Sequence, residues 1–259
     1  MIGWYPSHIN KAKSKIKEML KIVDLVVEVL DARAPLVSRA YEHSKLFGSK
    51  KRILLLNKSD LADPFVTDKW IKVISKEWPV IAISTRHDRP EKVLSFLKGF
   101  FGEMETRLML VGIPNVGKSS VVNFLGRRRA TRVGGIPGIT RRPHLIRIAR
   151  NLLLLDTPGI LYPRLTNREL IAKLLLIGSL DVDKVDPVLV YEEIENILPE
   201  NLKRGKTLFQ LLEDYSKKRG IPLRNGELDV ENAMKRLVRD IAQGKMDRFS
   251  LETPQDENF

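Results

Sequence analysis

Gly112-Ile113-Pro114-Asn115-Val116-Gly117-Lys118-Ser119 decides how this chain is read. It fits the pattern GxxxxGK[ST], follows the apolar run Arg107–Val111 and precedes a helix-forming stretch, Ser120–Gly126. Strand, glycine-rich turn and helix in that order are what a phosphate-binding loop requires. The glycines let successive amides, those of Val116 to Ser120 among them, turn inward around phosphate oxygens. The helix presents its positive end to the same anion. Lys118 is the cation for the β- and γ-phosphates, and the Ser119 hydroxyl is a Mg²⁺ ligand.

Downstream, residues 127–142 are rich in Gly, Pro and Arg and read as a loop. Thr140 stands just before the apolar run Leu145–Ile148, where a switch threonine completes the Mg²⁺ shell. Asp156-Thr-Pro-Gly159 closes the run Leu152–Leu155. Asp156 is placed as the acid that holds Mg²⁺, and the Gly159 amide is placed to sense a γ-phosphate. Only residues 149–151 separate the last two runs, so they are expected to form an antiparallel hairpin.

Upstream, Leu25–Leu30, Ile53–Leu56 and Val80–Ile83 are further strand signals, with helical stretches at 64–77, 89–101 and 118–127. Most of these runs are apolar throughout rather than alternating, as in strands covered on both faces. Strand–helix alternation predicts an α/β fold with a mostly parallel six-stranded sheet. Asn57-Lys58-Ser59-Asp60 follows the second strand directly. The Asp60 carboxylate can accept from the N1–H and exocyclic amine of guanine, a donor pair that adenine lacks. Asn57 can bond the base edge, and the Lys58 stem can lie over the ring. Ser84-Thr85-Arg86 ends the third strand, where a backbone amide of Ser84 or Thr85 would meet guanine O6.

The chain has 259 residues and a net charge of +13, with no cysteine. Disulfides, zinc–thiolate sites and thiol catalysis are therefore excluded, and a reducing, cytoplasmic setting is expected. No apolar run is long enough to span a bilayer, and the opening residues lack the apolar stretch of a secretory signal. Residues 1–163 hold 29 basic and 14 acidic side chains; residues 164–259 hold 16 and 18. That asymmetry favours a polyanionic partner, nucleic acid before membrane, with a generic solvated surface as the alternative. Residues 7–21 read as an amphipathic helix. Beyond Pro163 the pattern is helical, as at Leu208, Leu211, Leu212 and Tyr215 and over Val230–Ile241, with Val188–Tyr191 an ambiguous strand and the last residues a frayed tail.

Over residues 23–163 these motifs resemble GTPases of the Ras and translation-factor type, with one departure. Those proteins place the phosphate loop first; here the guanine motifs precede it, as in circularly permuted GTPases. Within that group the chain is similar to the RbgA/YlqF ribosome-assembly GTPases, on Trp4-Tyr-Pro-Ser-His8-Ile-Asn-Lys-Ala12, Asp31-Ala-Arg33, the permuted order and the stretch Gly226–Phe249. The resemblance implies a permuted P-loop GTPase domain with its N-terminal helix over 1–163. It implies an all-α domain that binds RNA and the ribosome over 164–259. It further implies GTP/GDP and Mg²⁺ as ligands, the large ribosomal subunit precursor and its ribosomal RNA as partners, and a cytoplasmic monomer with slow intrinsic turnover that the ribosomal particle stimulates. Ile160 stands where Ras-like enzymes carry a water-orienting glutamine, so another group must position water. His8 is the family-matched candidate, against an ordinary surface histidine. Asn115 matches the asparagine that holds K⁺ in some relatives, against a turn-favouring Asn. A movement at Gly159 would pull on residues 164 onward and link GTP to RNA docking. Arg127–Arg129, Arg132, Arg141, Arg142, Lys217–Arg219, Lys235, Arg236 and Arg239 are candidate RNA contacts. Two other classes stay open: a GTP-dependent regulatory module acting on a protein partner with little turnover, and a P-loop ATPase or kinase, which Asn57–Asp60 disfavours.

Overall fold

Leu25–Asp31 (β1) is buried at every position, which places it in the middle of a sheet covered on both faces. The computed structural model describes residues 14, 16–39, 47–101, 104–126, 131–133, 145–155, 167–222, 224 and 227–254. The other strands are Lys51–Asn57 (β2), Val80–Ala82 (β3), Thr106–Val111 (β4), Thr131–Val133 (β5), Leu145–Ala149 (β6) and Leu152–Leu155 (β7), in the spatial order β3-β2-β1-β4-β7-β6-β5. β3, β2, β1, β4 and β7 run parallel. β6 pairs antiparallel with β7 as the expected hairpin. The seventh strand, β5, lies in the stretch read from sequence as a loop and pairs antiparallel with β6. Three residues among glycines and arginines are too few to show a strand period.

Alternate residues of the central strands feed two opposite cores. Leu25, Val27 and Val29 join Val93 and Leu97 of Pro90–Phe101 (α2) and Val121, Phe124 and Leu125 of Lys118–Gly126 (α3). On the other face, Val26 meets Ile16, Met19 and Leu20 of the helical residues 16–20. There too Leu30, Leu54 and Leu56 meet Trp70 and Ile74 of Pro64–Ile74 (α1). Asp63 caps α1 by accepting from the Val66 amide, and Pro64 occupies the first turn, where its missing N–H costs nothing.

The helical region comprises Arg168–Leu176 (α4), Tyr191–Ile197 (α5), Glu200–Lys203 (α6), Leu208–Arg219 (α7) and Val230–Ala242 (α8). The Val188–Tyr191 run is not a strand. Asp186 accepts from the Val188 amide, Pro187 fixes the first turn, and Pro187–Val190 forms a 3₁₀ turn that runs into α5. α7 carries a capping box, Thr207 with Gln210, and ends at Gly220 in the left-handed conformation. The tail is not frayed through residue 254. Phe249 is buried, its amide donates to the Leu61 carbonyl (3.0 Å), and the Leu251 amide donates to the Arg33 carbonyl (2.8 Å). Leu174–Ile177, Leu208, Leu212, Met234, Leu237 and Ile241 share one continuous core with β1 and α3.

Candidate nucleotide site

Parallel pairing brings the carboxyl ends of β1, β2, β3 and β4 to one edge; Asp31 lies opposite Asn57, and Leu56 opposite Ala82. From β1 the chain steps to β2 and β3 on one side, then returns to place β4 on the other. The crevice between β1 and β4 is therefore the switch point where open α/β sheets bind ligands. The loops after β2, β3 and β4 carry the three motifs read from sequence.

The phosphate loop turns tightly against this edge. Gly112 has φ +149° and Gly117 φ +99°. A Cβ on Gly112 would lie 2.5 Å from the Val29 carbonyl oxygen, and one on Gly117 would lie 2.2 Å from Asn57 Nδ2. Only glycine fits either place. Asn57 Nδ2 donates to the Val116 carbonyl (2.8 Å), so base motif and phosphate loop are joined by a buried hydrogen bond. The Asn57 Oδ1 atom, also buried, has no partner among the described residues. Lys118 Nζ donates to the carbonyls of Gly112 (2.8 Å) and Ile113 (2.5 Å). Burial pushes its ammonium down to about 8, with no described anion to offset the desolvation. Ser119 and Ser120 are exposed in the first turn of α3.

The base loops are equally ordered. Lys58 adopts a left-handed conformation, φ 59°. The Ser59 amide donates to the Ile83 carbonyl (3.1 Å), holding the loop after β2 against the loop after β3. Asp60 stands 3.9 Å from His87 Nε2. Within 84–87, the Ser84 amide donates to Asp88 Oδ2 (2.8 Å), and the Arg86 and His87 amides donate to Ser84 Oγ (3.2 Å each). These bonds commit the amides of Ser84, Arg86 and His87 and leave that of Thr85 without a partner among the described residues. Asn57, Lys58, Asp60, Ser84, Thr85, Asn115, Val116, Gly117, Lys118, Ser119 and Ser120 thus line one edge. His8, Thr140, Asp156 and Gly159 lie outside the described residues.

A guanine nucleotide fits this frame: a cradle that excludes side chains, a partly buried cation at its rim and an acid, Asp60, in the adjoining loop after β2. Mg²⁺ fits at Ser119, an exposed hydroxyl in the turn after the loop, and when bound it supplies charge to the phosphate oxygens.

Sequence reasoning missed the contacts made from beyond residue 163. Asn115 Nδ2 donates to the Gly178 carbonyl (3.0 Å), and Lys58 Nζ to that of Ile177 (3.4 Å). A cavity of ≈ 250 Å³ lies between them, walled by Lys58 and Asn115 on one side and by Gly178, Asp181, Arg239 and Gln243 on the other. The buried group of Asp31 and Arg33 was likewise legible only as a family marker, although an acid ending an apolar strand was a signal.

Residues 107–220 match the family described as 50S ribosome-binding GTPase. Ribosome biogenesis GTPase A of Thermotoga maritima is 40% identical over 255 residues, covering 98% of this chain and 95% of that protein. The protein of the same name from Bacillus licheniformis is 33% identical, covering 99% of both. The crystal structure of GNP-bound YlqF from T. maritima superposes with a TM-score of 0.77 at 34% identity, covering 94% of this chain and 100% of that one. The GDP-bound structure of TM YlqF gives a TM-score of 0.79 at 34% identity, covering 93% and 99%. Similarity of this extent runs through the sheet and the helical region alike, and the chain belongs to the ribosome biogenesis GTPase A family, as a GTP-hydrolysing P-loop protein whose guanine motifs precede its phosphate loop.

Proposed function

We propose that the chain is an assembly factor for the large ribosomal subunit that binds ribosomal RNA in a nucleotide-dependent way. The observation that carries this reading is a cleft of ≈ 380 Å³ in the helical region, lined by Lys203, Arg204, Lys206, Lys218, Arg219 and Lys245. Arg204 pairs with Asp247, Lys206 with Asp214, and Arg219 and Lys245 both with Asp240, so the six cations meet three acids and keep a net positive charge. Pooled cations in a concave wall suit the phosphates of a folded RNA, and the low aromatic content, 7%, favours backbone recognition over base stacking. Of the cations expected from sequence, Lys218 and Arg219 fall in the cleft. Lys235, Arg236 and Arg239 lie outside its lining, where Lys235 pairs with Glu231, Arg239 with Asp183, and Arg236 bonds Asn232.

Nucleotide dependence is supported by the Lys58 and Asn115 contacts to residues 177–178, a path separate from the one expected through Gly159. In this reading Asn57, Lys58, Asp60 and Thr85 take the base, the Lys58 stem lying over the ring. The amides of Val116 to Ser120 and Lys118 take the phosphates, and Ser119, Thr140 and Asp156 hold Mg²⁺. His8 positions water and Gly159 reports the γ-phosphate. Asn115, with Nδ2 committed to Gly178, offers its carbonyl oxygen to K⁺. The test is cosedimentation with large ribosomal subunits across a salt series, with GDP and with a non-hydrolysable GTP analogue. Binding should fall steeply with salt and be at least about tenfold tighter with the analogue. Equal affinity in the two nucleotide states, or no salt dependence, would overturn the proposal.

A further inference from the structure

Asp31 ends the central strand, Arg33 stands in the turn that follows, and both side chains are wholly buried. An ionised carboxylate in such a place must have its oxygens answered, and here they are. Oδ1 accepts from Arg33 Nε (2.9 Å) and from the Arg33 amide (3.1 Å). Oδ2 accepts from Arg33 Nη2 (2.9 Å) and pairs with Lys58 Nζ (2.8 Å). Burial alone would raise the Asp31 carboxyl, but Arg33 and Lys58 outweigh it and hold it well below the usual carboxylate range. Arg33 gives its remaining hydrogens to carbonyls at two helix ends, Ile177 after α4 (2.8 Å) and Ala242 of α8 (3.1 Å). Cations suit helix carboxyl termini. The Phe249 ring closes over the guanidinium at 5.3 Å.

Neither Asp31 nor Arg33 is exposed to a ligand, yet both bear on a residue that is. The Lys58 side chain keeps 21% of its surface. Its backbone is left-handed, a conformation lysine does not favour and which therefore needs support from its surroundings. Burial lowers the Lys58 pKa, Asp31 opposes that, and Arg33 and Arg86 add to it. One carboxylate between two cations leaves the group with a net positive charge at the rim of a site for an anion.

We propose that Asp31 and Arg33 are positioning residues for guanine-nucleotide binding and act through Lys58. Asp31 draws the ammonium back from the pocket so that the stem lies open to the base. Arg33 fixes the carboxylate in that orientation and ties it to the ends of α4 and α8. The inference rests on Lys58 being a base-site residue.

The test measures GDP affinity and steady-state GTP hydrolysis on the full chain for Asp31→Asn, Lys58→Met and the double variant. Asp31→Asn should weaken GDP binding and raise KM about tenfold, the worth of a charged hydrogen bond, with kcat within about twofold. Lys58→Met should weaken binding by a similar factor, and the double variant should be no weaker than Lys58→Met alone. A loss from Asp31→Asn that persists in full in the Lys58→Met background would mean the acid acts on the fold and not on Lys58. Wild-type affinity in Asp31→Asn would also reject the role. Unchanged GDP binding in Lys58→Met would instead remove Lys58 from the base site. Should Asp31→Asn leave Arg33 too poorly compensated to fold, Asp31→Asn with Arg33→Met removes both charges of the pair and should show the same tenfold loss; wild-type affinity there rejects the role equally.

Discussion

Lys118 shows how a single side chain carries both the structural and the chemical argument. Its ammonium is held inside the loop by two carbonyls, which are weaker partners than an anion, so burial is left to lower its pKa to about 8. Phosphate binding needs the charged form. Below pH 8 the free protein already holds that proton; above it, the proton must be taken up on binding. Nucleotide affinity should therefore be flat from pH 6.5 to 7.5 and fall above pH 8, by up to about tenfold per unit. Titration with a fluorescent GDP analogue at constant ionic strength checks this, and affinity that is flat to pH 9.5 would contradict it. The residue type was legible in the sequence, because a lysine after a glycine at that spacing has one common use. Its depressed pKa was not, since desolvation depends on what surrounds it in space.

Among the elements, the segment after α8 carries the largest correction. From sequence the residues up to 250 belonged to the helical domain and only those beyond it to a frayed tail; in the structure the segment through residue 254 is a strap across the loops after β1 and β2. Glu252 is buried at its end, accepting from the amides of Leu36 (2.8 Å) and Val37 (3.2 Å), while its own carbonyl accepts from Trp70 Nε1 (3.0 Å). Burial raises its carboxyl to about 7, against the opposing pull of Lys173 and the two amides. The folded pKa lies above the unfolded value of 4.5, so the group binds its proton more tightly when folded. Its stabilising contribution is full below pH 4.5 and is lost as pH rises through 7. Glu252→Gln keeps a neutral group throughout, so the variant should gain on the parent between pH 5 and pH 8, by up to about 3 kcal/mol. Tm measured across that range checks the sign; a variant that loses ground as pH rises would refute it. A tail of mixed charges has no period to read, and its anchors lie far back in the chain.

At the scale of the whole molecule, the sheet and the helical region from Arg168 onward share one core. Leu174, Leu212 and Leu237 belong to the same buried cluster as Val27 and Phe124, and Arg33 is bonded to carbonyls 144 and 209 positions further along. The chain should unfold in one transition, with calorimetric and van't Hoff enthalpies equal within about 10%; two resolved transitions would show the halves to be independent. The sequence by itself determined six of the seven strands, the motifs that follow β2, β3 and β4, and the permuted order; β5 was read as a loop. Apolar periodicity and glycine spacing are local properties that any stretch of chain displays. Only the tertiary structure decided that the base and phosphate motifs meet through Asn57 and Val116, that a buried acid stands behind Lys58, and that the helical region closes one wall of the site. Those contacts join residues far apart in the chain, and they arise where parallel strands end side by side, a juxtaposition that no local pattern encodes.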